Sequence, residues 1–235
     1  MSEKIKIDFE KTVKMSNFSE KELNTKKFHL NKFIESGFPN RKLENWKFID
    51  LSKIIRENIE DLSFYNDQSI TNSIDTSSLI DGLEHNKIIF INGRIEKIDF
   101  SYEDKNQIEI YDDVLINDSF ENSNSLINLN NAFRNKYYKI LVKKNYSIKK
   151  PLIIYHFANE KINSKNINLR LDFELEQNSS LKLIDYFSDK TVKNFTNIVY
   201  NFDLKTYSIL KNFKIDKSSN KNFRYSFNNI EQEKN

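Results

Sequence analysis

The sequence contains no cysteine, which excludes disulfide bonds, thiolate nucleophiles and metal clusters held by cysteine. The same absence removes the usual mark of a small secreted domain. Glycine and proline are also scarce, at 3 and 2 residues. Few glycines argue against phosphate-binding loops, because those loops need close approach of the backbone to the ligand.

Long apolar runs are missing too, since none approaches the roughly 18 residues that a membrane helix needs. Residues 1–10 alternate charged and apolar side chains and lack the apolar core of a signal peptide. We therefore expect a cytoplasmic protein with no membrane partner. Lys and Arg number 37 against 34 Asp and Glu, and this small excess does not indicate a nucleic-acid partner.

Residues 1–60 are predicted to form an N-terminal helical region. Ser19 and Glu22 have the spacing of a capping box at the start of a helix. Gly37 is suited to the left-handed residue that ends the same helix. Residues 51–59 repeat apolar side chains at helical spacing and predict a second helix.

Residues 61–125 are predicted to be a connecting segment. Its first part, residues 61–86, is polar and weakly patterned, which is typical of a loop or short helices. Asn92 and Gly93 lie between two apolar runs and predict a β-hairpin near residues 87–98. The reason is that a type I′ turn needs positive φ at both central residues.

Residues 126–235 show short strand patterns with no helical pattern between them, which argues against a βαβ sheet. The predicted strands lie near residues 139–142, 152–157, 167–175, 181–183, 198–200, 210–215 and 223–227. An antiparallel sandwich and a β-solenoid both fit this pattern. The segment has one proline, Pro151, and no glycine, which favours solenoid coils with corners of Asn and Ser.

The run GFPNRKLENWKFIDL at residues 37–51 resembles the N-terminal signature of the SufB/SufD family of iron–sulfur cluster assembly proteins. The family signature has the form G-F-P-t-r-k-x-E-x-W-K-Y-T-d-L. The principal matching positions are Arg41, Glu44, Trp46 and Lys47. Phe48 stands where the family has Tyr, and Ile49 where it has Thr.

Further segments resemble the family in the same order along the chain. They are IIFINGR at 88–94 with Asn92 and Gly93, LNNAF at 129–133 with Asn130, Ala132 and Phe133, KPLIIYH at 150–156 with Pro151 and His156, and NFTNIV at 194–199. The first run and the LNNAF segment are more similar to SufD than to SufB. We expect these matching residues to be structural rather than catalytic.

The resemblance implies a mainly β fold, a right-handed parallel β-helix preceded by an N-terminal helical region. It implies a non-catalytic scaffold that pairs with a SufB-like subunit through the β-helix, with a SufC-like ATPase bound in the full-length family. The cluster would be assembled by the wider SufBCD complex, and no cofactor is expected on this chain. Because family members are about twice as long, the chain is expected to correspond to their N-terminal half, without the SufC-binding region.

Candidate chemical residues are few. The three histidines, His29, His85 and His156, lack metal-ligand spacing, and a packed or hydrogen-bonded histidine is the simpler interpretation. Trp46 with Arg41 and Glu44 is interpreted as a packing motif. The carboxylate pairs Asp112-Asp113 and Asp99/Glu103 fit polar loops better than a catalytic pair.

Two alternative interpretations stay open. A β-solenoid carbohydrate-active enzyme or adhesin normally has an export signal and acidic residues on adjacent coils, and neither is visible in the sequence. A non-functional fragment is the other alternative, because a coil that ends near residue 227 would have an uncovered last turn. On that ground we expect the isolated chain to self-associate.

Overall fold

A computed structural model describes residues 2–59, 61–64, 79–112, 124–134, 136–189, 193–218 and 222–234. Four α-helices lie within these ranges: α1 (Ser2–Lys14), α2 (Glu20–Ser36), α3 (Leu51–Asn58) and α4 (Ser125–Phe133). Most of the predicted connection at residues 61–86 falls outside the described residues. Among the described helices, none has the length and apolar character needed to span a bilayer.

The described strands form two five-stranded sheets. The strands are β1 (Asn86–Ile91), β2 (Arg94–Asp99), β3 (Ile108–Asp112), β4 (Tyr137–Val142), β5 (Leu152–Ala158), β6 (Lys165–Leu175), β7 (Ser180–Asp189), β8 (Asn194–Leu204), β9 (Ile209–Asp216) and β10 (Asn222–Gln232). Sheet I has the order β2-β1-β5-β7-β9, and sheet II has the order β10-β8-β6-β4-β3.

From β4 onward the chain alternates between the two sheets, so each coil contributes one strand to each sheet. Neighbouring strands pair in parallel, and Lys165 of β6 aligns with Asn194 of β8, 29 residues later. This is a β-solenoid of about three turns, as predicted, and not an antiparallel sandwich. The right-handed sense of the coil stays a prediction.

One end of the solenoid is closed by antiparallel strands, β2 against β1 in sheet I and β3 against β4 in sheet II. The predicted hairpin is confirmed, with its turn at Asn92 and Gly93, whose φ angles are 54° and 83°. The other end consists of β9 and β10, which pair in parallel with β7 and β8.

The main core lies between the two sheets and contains the alternating side chains of β6, from Leu169 to Leu175. A second core forms where the N-terminal helices cover the outer face of sheet II. It includes Phe33 of α2, Ile55 of α3 and Phe195 of β8, each at most 1% exposed. Burial of this kind contributes roughly 2 kcal/mol per large side chain.

The beginning of the predicted strand region is helical, which corrects the expectation that strand patterns start at about Leu126. Residues 125–133 form α4, capped by Asn124, whose Oδ1 accepts from the N–H of Leu126 at 3.0 Å. Every residue of this helix is buried. Because both faces are enclosed, its polar and apolar residues show no helical period that could be read from the sequence.

Candidate functional site

An acidic side chain lies inside the solenoid, at a position where the neighbouring strands have apolar residues. In β7 the side chains of Leu181, Leu183 and Phe187 belong to the core between the sheets. Asp185 has the same parity along the strand, so it also points between the sheets, and its residue exposure is 0%. Burying a carboxylate is unfavourable unless it is hydrogen-bonded or neutralised.

Two partners meet the Asp185 carboxylate in the interior. The Tyr200 hydroxyl of β8 donates to Asp185 Oδ1 at 2.8 Å. His156 Nε2 of β5 lies 3.2 Å from the same oxygen. Tyr200 and His156 also approach each other, with 3.5 Å between the hydroxyl oxygen and Nε2. The three groups therefore form a closed cluster that joins both sheets.

The His156 ring is held between two phenyl rings on neighbouring coils. Phe90 of β1 stacks on one side at 5.5 Å and Phe187 of β7 stacks on the other at 4.4 Å, measured between ring centroids. The parallel register produces this stack, since Phe90 aligns with His156 and His156 aligns with Phe187. The imidazole plane is therefore fixed by packing, which leaves Nε2 directed at Asp185.

The last coil places charged side chains at interior positions, above the buried cluster. Lys214 of β9 aligns with Asp185, and its Nζ lies 4.6 Å from the centroid of the Tyr200 ring. The Arg224 guanidinium of β10 lies 3.6 Å from the centroid of the Phe187 ring and pairs with Asp216 at 2.5 Å. Polar residues thus continue from the buried cluster to the surface at this end.

Burial is the largest influence on the pKa values of His156, Tyr200 and Lys214. Desolvation lowers the pKa of His156 although Asp185 acts in the opposite sense, so the imidazole is neutral near pH 7. Desolvation and the nearby Asp185 raise the pKa of Tyr200 well above its usual range. Desolvation also lowers the pKa of Lys214. The imidazole and the phenol that contact Asp185 are therefore both neutral near pH 7.

Sequence reasoning identified His156 but missed Asp185, Tyr200, Lys214 and Arg224. A signal was present for Asp185, because strict alternation from Leu181 and Leu183 places it on the apolar face of the strand. The others could not be found in this way, since their proximity depends on which coil lies above which.

The other two histidines lie elsewhere. His29 Nδ1 is 2.8 Å from Asn128 Oδ1, at the contact of α2 with α4. His85 Nε2 is 2.8 Å from the hydroxyl of Tyr155, on the outer face of sheet I. Across the described residues, no group of three or more His, Cys, Asp or Glu could hold a metal ion.

The residues of the first family-like run lie in a turn between α2 and α3. Arg41, Glu44 and Lys47 are exposed there. Trp46 packs against Tyr225 of β10 with 5.9 Å between ring centroids, so it connects the turn to the solenoid. The structure does not bring these residues near His156 by any described contact.

The remaining family-like positions have identifiable packing contacts. Asn130 Nδ2, on α4, donates to the carbonyls of Leu169 and Asn197 at 3.0 and 2.9 Å, which bridges β6 and β8. Ala132 and Phe133 of the same helix are buried in the second core. At the start of β5, the Pro151 carbonyl accepts from the N–H of Asn86 at 2.9 Å.

The carboxylates considered for catalysis have structural bonds instead. Asp99 pairs with Lys87 at 3.5 Å. Glu103 accepts hydrogen bonds from the Tyr146 hydroxyl and from the Lys149 backbone N–H at 2.7 and 3.0 Å. Asp112 pairs with Lys136 at 3.0 Å, whereas Asp113 lies outside the described residues.

Acidic residues do align on adjacent coils, which the sequence analysis did not detect. Glu174, Asp203 and Glu231 occupy matching positions of β6, β8 and β10 on the outer face of sheet II. Two of them are paired with lysines: Lys139 Nζ is 2.5 Å from Glu174, and Lys205 Nζ is 2.9 Å from Asp203. Successive members of this column are separated by about one coil of sequence, so their alignment cannot be recognised in the linear sequence.

A cleft of about 440 Å³ opens at the closed end, between β2 and β3. Its lining consists of Arg94, Ile95, Glu96, Ile98, Ile110, Asp112, Lys136 and Tyr138. Charges of both signs alternate with apolar side chains, so the lining does not favour one class of ligand.

Comparison with known proteins does not identify a family. No protein-family model matches the chain, and no curated protein matches it. The interior cluster of His156, Asp185 and Tyr200 is therefore the candidate site on its geometry alone.

Proposed function

We propose that the chain is a SufD-like, non-catalytic scaffold subunit of a cytoplasmic SufBCD complex that assembles iron–sulfur clusters. The observation that supports this proposal best is the order of the architecture. Helices α1–α3 precede a parallel β-solenoid, which is the order that the resemblance implies. A fold by itself does not define a function, so the family-like segments carry the rest of the argument.

Those segments occupy positions that hold the architecture together. Trp46 connects the N-terminal turn to β10, and Asn130 connects α4 to β6 and β8. Gly93 turns the hairpin at the closed end. In a scaffold protein we expect the family-like residues to lie at such structural contacts, because the function of a scaffold is to hold its partner proteins in fixed relative positions.

The proposed partner is a SufB-like subunit that docks on the solenoid, with a SufC-like ATPase in the same complex. Co-purification from the source cell tests this. A tagged chain should recover the SufB-like subunit in near-equal amount, with weaker recovery of the SufC-like one. Recovery of neither would end the proposal.

A matched pair of variants makes the test specific to the solenoid. Phe213 on β9 and Met15 near the end of α1 are 58% and 68% exposed. Phe213→Lys should lower recovery of the SufB-like subunit, whereas Met15→Lys should leave it unchanged. Equal recovery with both variants would argue against docking through this end of the solenoid.

One observation favours a second candidate, a β-solenoid that acts on carbohydrate. The column of Glu174, Asp203 and Glu231 places carboxylates on adjacent coils, whose paired strands are about 4.8 Å apart. Hydrolysis of an acidic polysaccharide by the purified chain, lost in Asp203→Asn, would support this candidate. The lysine partners of Glu174 and Asp203 make it the weaker of the two.

A further inference from the structure

Two columns of apolar side chains cross the outer face of sheet I and become exposed at β9. The parallel register aligns the members of each column, which are Ile153, Ile184 and Phe213 in the first and Tyr155, Tyr186 and Ile215 in the second. Exposure increases along the first column from 0% at Ile153 to 58% at Phe213. Along the second it increases from 0% at Tyr155 to 37% at Ile215. The apolar surface is thus buried at β5 and open at β9.

A short segment before β1 covers the buried part of this face. Leu79 and Ile80 pack on the apolar cluster of β1 and β5, and the Ile80 N–H donates to the Tyr155 hydroxyl at 3.2 Å. Phe213 and Ile215 lie beyond this cover, as their exposure shows. The apolar face of a sheet is normally buried by a second layer. On sheet II the chain supplies that layer itself, with its N-terminal helices.

Lysines border the open part of the face. Lys182 of β7 and Lys211 of β9 are exposed and aligned with each other, and neither forms an ion pair with any residue that the structure describes. Like charges on neighbouring strands repel, so this alignment is unfavourable by itself. Lys217 directly follows β9 and lies on the same face, because its Nζ is 5.8 Å from the centroid of the Tyr186 ring.

Acidic residues do not balance these lysines along the described strands β7 and β9. The outward positions are Ser180, Lys182, Ile184, Tyr186 and Ser188 on β7, and Ile209, Lys211, Phe213 and Ile215 on β9. The outer face of sheet II differs, since Lys139 pairs there with Glu174, and Lys205 with Asp203. The open face of sheet I is therefore complementary to a partner that is apolar and acidic.

We propose that this face binds an amphipathic helix of a partner protein, with acidic residues near both ends of the helix. Phe213 and Ile215 form the apolar centre of the face. Lys211 lies on one side of it and Lys217 on the other, and six residues of extended strand span about 20 Å. A helix that packs along the strand covers this distance in about 13 residues. One acidic end then meets Lys182 and Lys211 together and relieves their repulsion.

A synthetic peptide tests the inference on the purified full chain. The probe is a fluorescently labelled, alanine-based helical peptide of about 18 residues, with leucines along one stripe and two glutamates at each end. The control peptide has lysine in place of each glutamate. Fluorescence anisotropy should show saturable binding of the acidic peptide and no binding of the basic one. The inference does not depend on the scaffold proposal, because peptide binding and recovery of the SufB-like subunit are separate results.

Reversal of the two bordering charges should exchange the preference between the peptides. Lys211→Glu combined with Lys217→Glu should weaken binding of the acidic peptide about tenfold or more and allow binding of the basic one. Lys144→Glu combined with Lys161→Glu is the matched control, since both lysines are exposed and lie outside the two sheets. It changes the net charge equally and should leave the preference unchanged.

Circular dichroism establishes whether each variant is folded. If the reversed variant is not, Lys211→Gln combined with Lys217→Gln replaces it, and the acidic peptide should then lose its advantage. Failure of the acidic peptide to bind, equal binding of both peptides, or an unchanged preference in the folded variant would overturn the proposal. Binding of vesicles of phosphatidylcholine and phosphatidylserine in place of the peptide would also overturn it, because the face would then fit a lipid surface.

Discussion

At the scale of single residues, asparagine takes over the role that glycine has in most tight turns. Asn92, Asn106, Asn145 and Asn178 all have positive φ, between 54° and 61°. Asparagine is among the few residues that adopt the left-handed region readily. Asn178 Nδ2 also donates to Asn145 Oδ1 at 2.9 Å, so corners of successive coils bond to each other. A chain with 3 glycines can therefore still build a coil.

Gly93 is a position where asparagine would not suffice. Its φ is 83°, and a Cβ at this position would lie 2.8 Å from Ile167 Cγ2. Gly93→Ala should therefore lower the free energy of unfolding by about 2–3 kcal/mol, from overpacking together with backbone strain. Urea unfolding followed by circular dichroism measures this change.

Gly82 is the matched control for that measurement. Its φ is 73°, but nothing lies within 4 Å of the added Cβ. Gly82→Ala should therefore have only the backbone effect, about 1 kcal/mol. Equal losses in the two variants would show that contact with Ile167 does not matter.

At the scale of elements, one carboxylate connects three separate loops and strands. Glu103 follows β2, and it accepts from Asn86 Nδ2 on β1 at 2.6 Å. It also accepts from the Tyr146 hydroxyl and from the N–H groups of Lys149 and Lys150 between β4 and β5. Glu103 is therefore one of the side chains that join these segments at the closed end of the solenoid.

This arrangement predicts a pH dependence of stability. Burial by itself raises the pKa of Glu103, but the hydrogen bonds from Tyr146, Lys149, Asn86 and Lys150 outweigh it, and the pKa lies below 4.5. The unfolded state thus binds the proton more tightly, so the contribution to stability is present above about pH 4.5 and is lost as the pH falls through the lower, folded-state pKa.

Glu103→Gln tests the assignment, with urea unfolding at pH 7, 5, 4 and 3. The variant should be less stable at pH 7, and its difference from the unsubstituted chain should shrink as the pH falls. Glu57→Gln, in an exposed pair with Lys53 at 3.7 Å, should change little at any pH. A constant difference across the pH range for Glu103→Gln would contradict the prediction.

At the scale of the whole molecule, the two ends of the solenoid are unlike. The closed end has short antiparallel strands, β2 and β3, of 6 and 5 residues. The other end has β9 and β10, of 8 and 11 residues, and no described strand pairs with their outer edges. Long unpaired edges promote association between chains.

We therefore expect the isolated chain to self-associate through the β9–β10 end. Sedimentation should show an apparent mass that rises with concentration. Phe213 and Ile230 are both 58% exposed at this end, and Phe213→Lys combined with Ile230→Lys should reduce the association by adding charge. Ile98→Lys at the closed end should not. A monomer at all concentrations would contradict the expectation.

Local signals account for the parts of the fold that the sequence predicted correctly. The capping box at Ser19 and Glu22 and the turn at Asn92 and Gly93 are each set by residues within four positions of one another. The alternation of apolar and polar side chains along β6 likewise indicates a strand with one buried face. Helix α4 was missed because it is buried on both sides, by the N-terminal helices and by sheet II. A helix buried on all sides does not show the periodic spacing of apolar residues by which a helix is recognised in a sequence.

By itself, the sequence determined helices α2 and α3, the hairpin turn and most strands from β4 onward, but not α4 or β3, because short-range backbone preferences and alternation decide the former. Tertiary structure alone decided that Asp185, His156 and Tyr200 meet. The three residues lie 15 to 44 positions apart, and only the coil register brings them within 3.5 Å. Register depends on the length of each whole coil, which no local pattern contains.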